Sequence, residues 1–296
     1  MTKSRFNKFL AYWYKRILIF GIITIIIFLI FNFLIPKEFN YNEINIFISL
    51  LIASLIVESG RAESRWFAFG VLPGRWMLKE LFIGFAIAII SIVIFFGFLY
   101  FLGGVLIIAK LPDTGTLTLL LLIIFCSSAA EELIVRGIIL QALLDRFGKT
   151  MAILTTSFVF GFAHLSNPNL NVIGIINVMI AGIFFSVAYI STRSLWLPIS
   201  FHFVWNAGIQ LFLGSAVSGY NYGYYLMKLD ISKFNSFSKW LVGGDFGIEG
   251  SIITTIILML SIFIVLKISH ISPYIASIIF KRNYKESELI YNLINS

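Results

Sequence analysis

The chain has 296 residues, 59% of them hydrophobic and 12% charged, with 22 Lys and Arg set against 14 Asp and Glu for a formal charge of +8. So apolar a composition excludes an ordinary soluble domain and predicts an all-α, multispanning membrane protein whose surroundings are the lipid bilayer. The basic residues lie in short loops, not in one patch with interleaved aromatics, which argues against a nucleic-acid partner.

The first 35 residues combine a basic lead, "MTKSRFNKF", with an apolar run of about 19 residues, long enough to cross a bilayer at ~1.5 Å per residue. No small-residue cleavage site follows, so the segment reads as a retained first helix. Candidate spans fall at 17–35, 44–57, 81–109, 117–144, 151–165, 172–190, 195–212 and 252–266, which makes eight. Between the second and third, "VESGRAESRWFAFGVLPGRWMLKE" mixes Trp and Arg in the manner of a lipid-interface connection. Residues 213–250 form a Gly- and Tyr-rich loop, and the tail "KRNYKESELIYNLINS" reads as a short interfacial or solvated helix. Cys126, the one cysteine, lies inside an apolar run and reads as core filler.

Alternate loops differ in positive charge. Lys3, Arg5, Lys8, Lys15, Arg16, Arg61, Arg65, Arg75, Lys79, Arg146, Lys149, Arg193, Lys267, Lys281, Arg282 and Lys285 fall on one side. Only Lys37, Lys110, Lys228, Lys233 and Lys239 fall on the other. The positive-inside rule then predicts cytoplasmic N- and C-termini in a cell membrane.

Three charges interrupt the fourth span, "IIFCSSAAEELIVRGIILQALL". An ionised side chain at mid-bilayer costs ~3 kcal/mol on insertion scales, so such residues call for a partner or a task. Glu132 and Arg136 are four apart and share a helical face, in the orientation that favours an ion pair. Glu131 points about 100° away and has no partner on its own helix. Two of the three histidines also lie in apolar spans: His164 in "FVFGFAHLSN" and His202 in "LPISFHFVWNAG". Asn206 follows His202 by four and shares its face. Helical rise from the basic ends puts Glu131 ~22 Å, His164 ~21 Å, His202 ~12 Å and Asn206 ~18 Å into the membrane, so the four can meet. A carboxylate beside a His can deprotonate a water, and a second His with an amide can donate hydrogen bonds to a developing oxyanion. That combination suits hydrolysis of an amide or ester.

The order "EELIVR", "FGFAH", "HFVWN" resembles the EExxxR, FxxxH and HxxxN motifs of the CAAX protease and bacteriocin-processing family of intramembrane glutamic endopeptidases. The resemblance implies a catalytic membrane domain at 80–268, following a 1–79 unit of two spans and a loop, with 269–296 as a cytoplasmic tail. It implies Glu131 as the general base and His164 as a second holder of the water. His202 and Asn206 would form the oxyanion hole, Glu132 and Arg136 would support, and the cavity would open to the cytoplasm. Phe160, which opens the second motif, reads as packing, and Pro198 is expected to kink its helix. The substrate class implied is a peptide or membrane protein, such as a leader or precursor peptide in bacteriocin maturation or self-immunity, with neither cofactor nor metal.

Other readings draw on the same residues. A zinc protease would want HExxH, which is missing, although Glu131, His164 and His202 could supply three protein ligands with an open position. "VGGDFG" lacks the first Gly of a GxGD protease motif, and no GxSG marks a serine nucleophile. A non-catalytic immunity or scaffold protein, or a proton-coupled transporter, would also use buried Glu and His, but no inverted repeat is visible.

Overall fold

In the computed structural model the described residues are 12–37, 40–58, 70–71, 75–108, 112–230 and 240–268. Expectations for the N-terminal lead, most of the 58–80 connection and the tail fall outside them. The described residues form a helical bundle: α1 (Trp13–Leu34), α2 (Asn42–Val57), α3 (Arg75–Phe101), α4 (Thr114–Glu132), α5 (Gln141–Phe147), α6 (Lys149–Ala163), α7 (Val172–Thr192), α8 (Trp196–Phe212) and α9 (Ile252–Ile268). A π-helical segment, Leu133–Leu140, joins α4 to α5 into one rod, Thr114–Phe147. Four helices are long and apolar enough to cross a membrane: Trp13–Leu34, Met77–Phe101, Thr114–Phe147 and Val172–Thr192. The protein is thus a multi-pass membrane protein by its helices. α2, α6 and α9 are apolar but shorter.

Local chemistry sets the helix ends. Asp113 caps α4 by accepting from the Thr116 N–H at 3.0 Å, and Asn171 caps α7 by accepting from the Gly174 N–H at 2.7 Å. The Thr116 hydroxyl and N–H together hold the exposed Asp113 carboxyl below its ordinary value. Gly148, at φ +77°, turns the chain back from α5 into α6 with no intervening loop.

Two expectations need correction. The apolar run 81–109 is not one span, because α3 ends at Phe101 and Gly103 reverses the chain at φ +93°. Val105–Ile108 (β1) then pairs antiparallel with Met227–Asp230 (β2), in the register Val105 to Asp230. Aliphatic residues favour either state, and the two glycines decide for the strand. Pro198 sits in the first turn of α8, where no intrahelical N–H is lost, so no kink is required.

The helices alternate in direction, which sorts the loops into two ends. At one end Arg16 of α1 pairs with Glu58 at 2.6 Å and with Asp145 at 3.4 Å, and Trp13 packs edge-on against Phe147. Leu133, Ile138, Leu140, Leu144, Tyr189 and Leu195 fill the space beneath. At the other end lie the β1–β2 ribbon and two 3₁₀ turns, Gly244–Phe246 and Ile248–Gly250. Asn177 holds this second end by donating to the carbonyls of Glu249 and Ser251 at 2.7 and 2.8 Å. Outward faces are apolar throughout, as on α1 with Leu18, Ile25 and Leu29, so lipid is the natural solvent for them.

Candidate active site

Arg136 is fully buried and held by four neighbours, although its Nε has no hydrogen-bond partner among the described residues. Its guanidinium donates to Glu132 Oε1 at 3.2 Å and to the Gly182 carbonyl at 3.1 Å, while Phe160 and Phe185 lie 4.7 and 5.0 Å from its centre. Gly182 lets α7 pack closely on α6 at this level, since a Cβ there would come within 2.9 Å of the Ser157 backbone. Charge pairing, a carbonyl and two ring faces together offset the desolvation of a buried cation.

Glu132 holds more than the arginine. Its Oε1 also faces His202 Nδ1 at 2.9 Å, and since a carboxylate only accepts, Nδ1 carries the proton. Phe185 stacks on the His202 ring at 4.7 Å with the planes 24° apart, so both tautomer and ring plane are set. His164 is fixed by its own helix end: Nδ1 lies 2.7 Å from the Phe160 carbonyl and therefore donates. Both imidazoles consequently present Nε2 to the interior.

Glu131 faces those two atoms. Its Oε2 lies 4.0 Å from His164 Nε2 and 3.8 Å from His202 Nε2. Buried Oε2 has no hydrogen-bond partner among the described residues. Asn206 lines the same cavity and donates one N–H to Ser128 Oγ at 3.2 Å, which orients the amide. The structure therefore gathers all six residues singled out from the sequence into two layers. Glu132 and Arg136 lie behind, and Glu131, His164, His202 and Asn206 border a cavity of about 540 Å³.

Separations near 4 Å are too long for direct hydrogen bonds and suit one water about 2.8 Å from each group. Three ligands at ~2.0–2.1 Å from a tetrahedral zinc would lie closer together, about 3.3 Å apart. Among the described residues no cluster of His, Cys, Asp and Glu has metal-binding geometry.

Several contributors carried no sequence signal. Ser128 was one small polar residue in an apolar run. Glu249 belongs to the "GGDFGIEGS" loop, and accepts from Trp205 Nε1 at 3.1 Å and from the Ser218 N–H and hydroxyl at 2.5 and 3.0 Å. Asn167 donates to the Ser218 carbonyl at 3.0 Å. Ser218, at φ +48°, is thereby pinned as part of a roof over the cavity. Glu43, Ile46 and Leu50 of α2 complete a wall, so the second helix takes part in the site. Phe160 packs as expected, yet it also shapes the chemistry by touching Arg136 and His164.

The described helices form an apolar bundle around a cavity lined by two carboxylates and two imidazoles, which defines the class: a multi-pass membrane protein with a buried ionisable site. Residues 113–208 match the family model described as Rce1-like, type II CAAX prenyl endopeptidase Rce1-like. The matched stretch contains all three motifs, which bears out the resemblance to the CAAX protease and bacteriocin-processing family and supports a membrane endopeptidase. Comparison with curated proteins finds no match.

Proposed function

We propose that the protein is an intramembrane glutamic endopeptidase of the cell membrane, in which Glu131 activates a water against a peptide carbonyl. The observation that carries this reading is the buried, unpartnered Glu131 Oε2, set 4.0 and 3.8 Å from two inward-facing imidazole nitrogens in one cavity. A water between Glu131 and His164 donates one hydrogen to the carboxylate and the other to His164 Nε2, which accepts because Nδ1 is already protonated. Its lone pairs then point toward the cavity. Glu131 takes the proton as the oxygen attacks, and returns it to the leaving amine.

The tetrahedral oxyanion needs donors. Asn206 offers its second N–H, and His202 offers Nε2–H in the imidazolium form, which the Glu132 carboxylate behind it stabilises. Arg136 holds Glu132 in that position. No metal enters this scheme. The catalytic unit is residues 80–268, to which α2 adds one wall, within a bundle of eight membrane helices whose termini face the cytoplasm.

The substrate we assign is a leader or precursor peptide or a membrane protein, in maturation or self-immunity. Comparative peptidomics of membranes from wild-type and Glu131→Gln cells tests the reading. Precursors should accumulate in the variant, and in His164→Ala and His202→Ala, while all three proteins remain in the membrane. Full processing by all three variants sinks the protease reading and favours a scaffold, immunity or transport role.

A further inference from the structure

The family resemblance implies a cavity open to the cytoplasm, yet the geometry points the other way. The cavity reaches from the middle of the bundle, where Ile134, Val135 and His202 line it, to one end. Glu43 lies in the first turn of α2, His164 just beyond the last residue of α6, and Tyr220 and Tyr222 in the chain that leaves α8. At the opposite end, Arg16, Glu58 and Asp145 interlock above a packed apolar layer. That closed end also carries Lys15, Arg16, Arg146, Lys149, Arg193 and Lys267, on the side that holds 16 of the 22 basic residues. By the positive-inside rule the closed end is cytoplasmic and the mouth is not.

We propose that the cavity receives its peptide from the non-cytoplasmic face, and that it favours a segment bearing positive charge. The second half rests on the lining, in which, among the described residues, Glu43 and Glu131 supply carboxylates, His164 and His202 supply imidazoles, and no Lys or Arg occurs. With Glu131 and Glu132 set against Arg136 and the His202 imidazolium, Glu43 leaves the cleft net negative, and a narrow low-dielectric cleft focuses that field and concentrates cations. The substrate class would be a basic peptide or a basic loop already exposed outside the cytoplasm. This rests on the peptidase reading only for what is cut; the access route stands apart from it.

Cysteine accessibility in whole cells tests both halves. In a Cys126→Ala background, Ser127→Cys reports from the cavity wall, Tyr222→Cys from the mouth, Tyr224→Cys from the exposed chain two residues beyond it, and Thr150→Cys from the closed end. The probes are a membrane-impermeant maleimide and a matched pair of methanethiosulfonates, one cationic and one anionic. Intact cells should label at 222, 224 and 127, whereas 150 should label only after permeabilisation. At position 127 the cationic reagent should react at least about tenfold faster than the anionic one, after normalising to a free thiol, and Glu43→Gln should shrink that ratio. Labelling at 150 but not at 222 or 224 in intact cells overturns the access route. Equal rates for the two reagents at 127 overturn the charge preference. Neither readout depends on turnover, so an active Glu131→Gln enzyme would remove the peptidase reading and leave the topology result standing.

Discussion

The two ends of the bundle treat buried charge in opposite ways. At the closed end Arg16 and Glu58 sit within 2.6 Å of each other, both with side chains 1% exposed, and the pocket of about 340 Å³ that Leu133, Trp196 and Ile199 help line there has, among the described residues, no charged side chain in its wall. At the open end Glu132 and Arg136 are equally buried, and Glu132 Oε1 is held by both Arg136 and His202, whereas the adjacent Glu131 Oε2 makes no hydrogen bond and faces two histidines across the cavity. A paired buried charge stabilises one geometry and is chemically quiet. An unpaired carboxylate next to a cavity is held for a proton, so a single step along the chain separates structure from reactivity.

The largest effect that sharpens this contrast is Glu131→Gln. It should lower processing by about 10²–10⁴-fold while leaving thermal unfolding in detergent close to wild type, since the altered Oε2 makes no hydrogen bond and faces the two histidines only at 3.8 and 4.0 Å. Glu132→Gln should do the reverse. Leaving Arg136 buried without its counter-charge costs about 3–5 kcal/mol, read as a lower melting temperature, with turnover also reduced because His202 loses its anionic acceptor. If the two glutamine variants behave alike, the division of roles between the adjacent glutamates is wrong.

At the closed end Glu58→Gln should destabilise by about 1–3 kcal/mol and leave activity per folded molecule unchanged, a result that separates the two kinds of buried pair. Glu249→Gln weakens the hold on Ser218 and Trp205 and is worth about 1 kcal/mol, hence roughly a fivefold rise in KM with a smaller change in kcat. The smallest effect concerns Asp113. Its carboxyl lies below the ordinary value, so the cap stabilises α4 above the unfolded carboxylate value and is lost as pH falls through the folded one. Asp113→Asn keeps a cap without that proton and should flatten the acid limb of a melting-temperature profile, leaving neutral pH unaffected.

Much of the site was legible in the chain because membranes make polar residues conspicuous. Glu131, Glu132, Arg136, His164, His202 and Asn206 each interrupt apolar helices, and helical rise alone predicts that they can meet. Composition and apolar period likewise determined the helical class and the multi-pass character. Folding decided what spacing does not encode. The pairing of Glu132 with His202 joins residues 70 apart, and the Ser128 and Glu249 contacts depend on neighbours brought in by other helices. The π turn after Glu132 and the β1 strand, where a span was expected, follow from local backbone choices that an apolar pattern leaves open. Which end of the bundle stays open is the furthest from sequence, because it depends on how side chains from α2, α6 and α8 fail to fill one half of the interior. Polarity against a lipid background is a one-dimensional signal, whereas cavities and mouths are differences of packing that exist only in three dimensions.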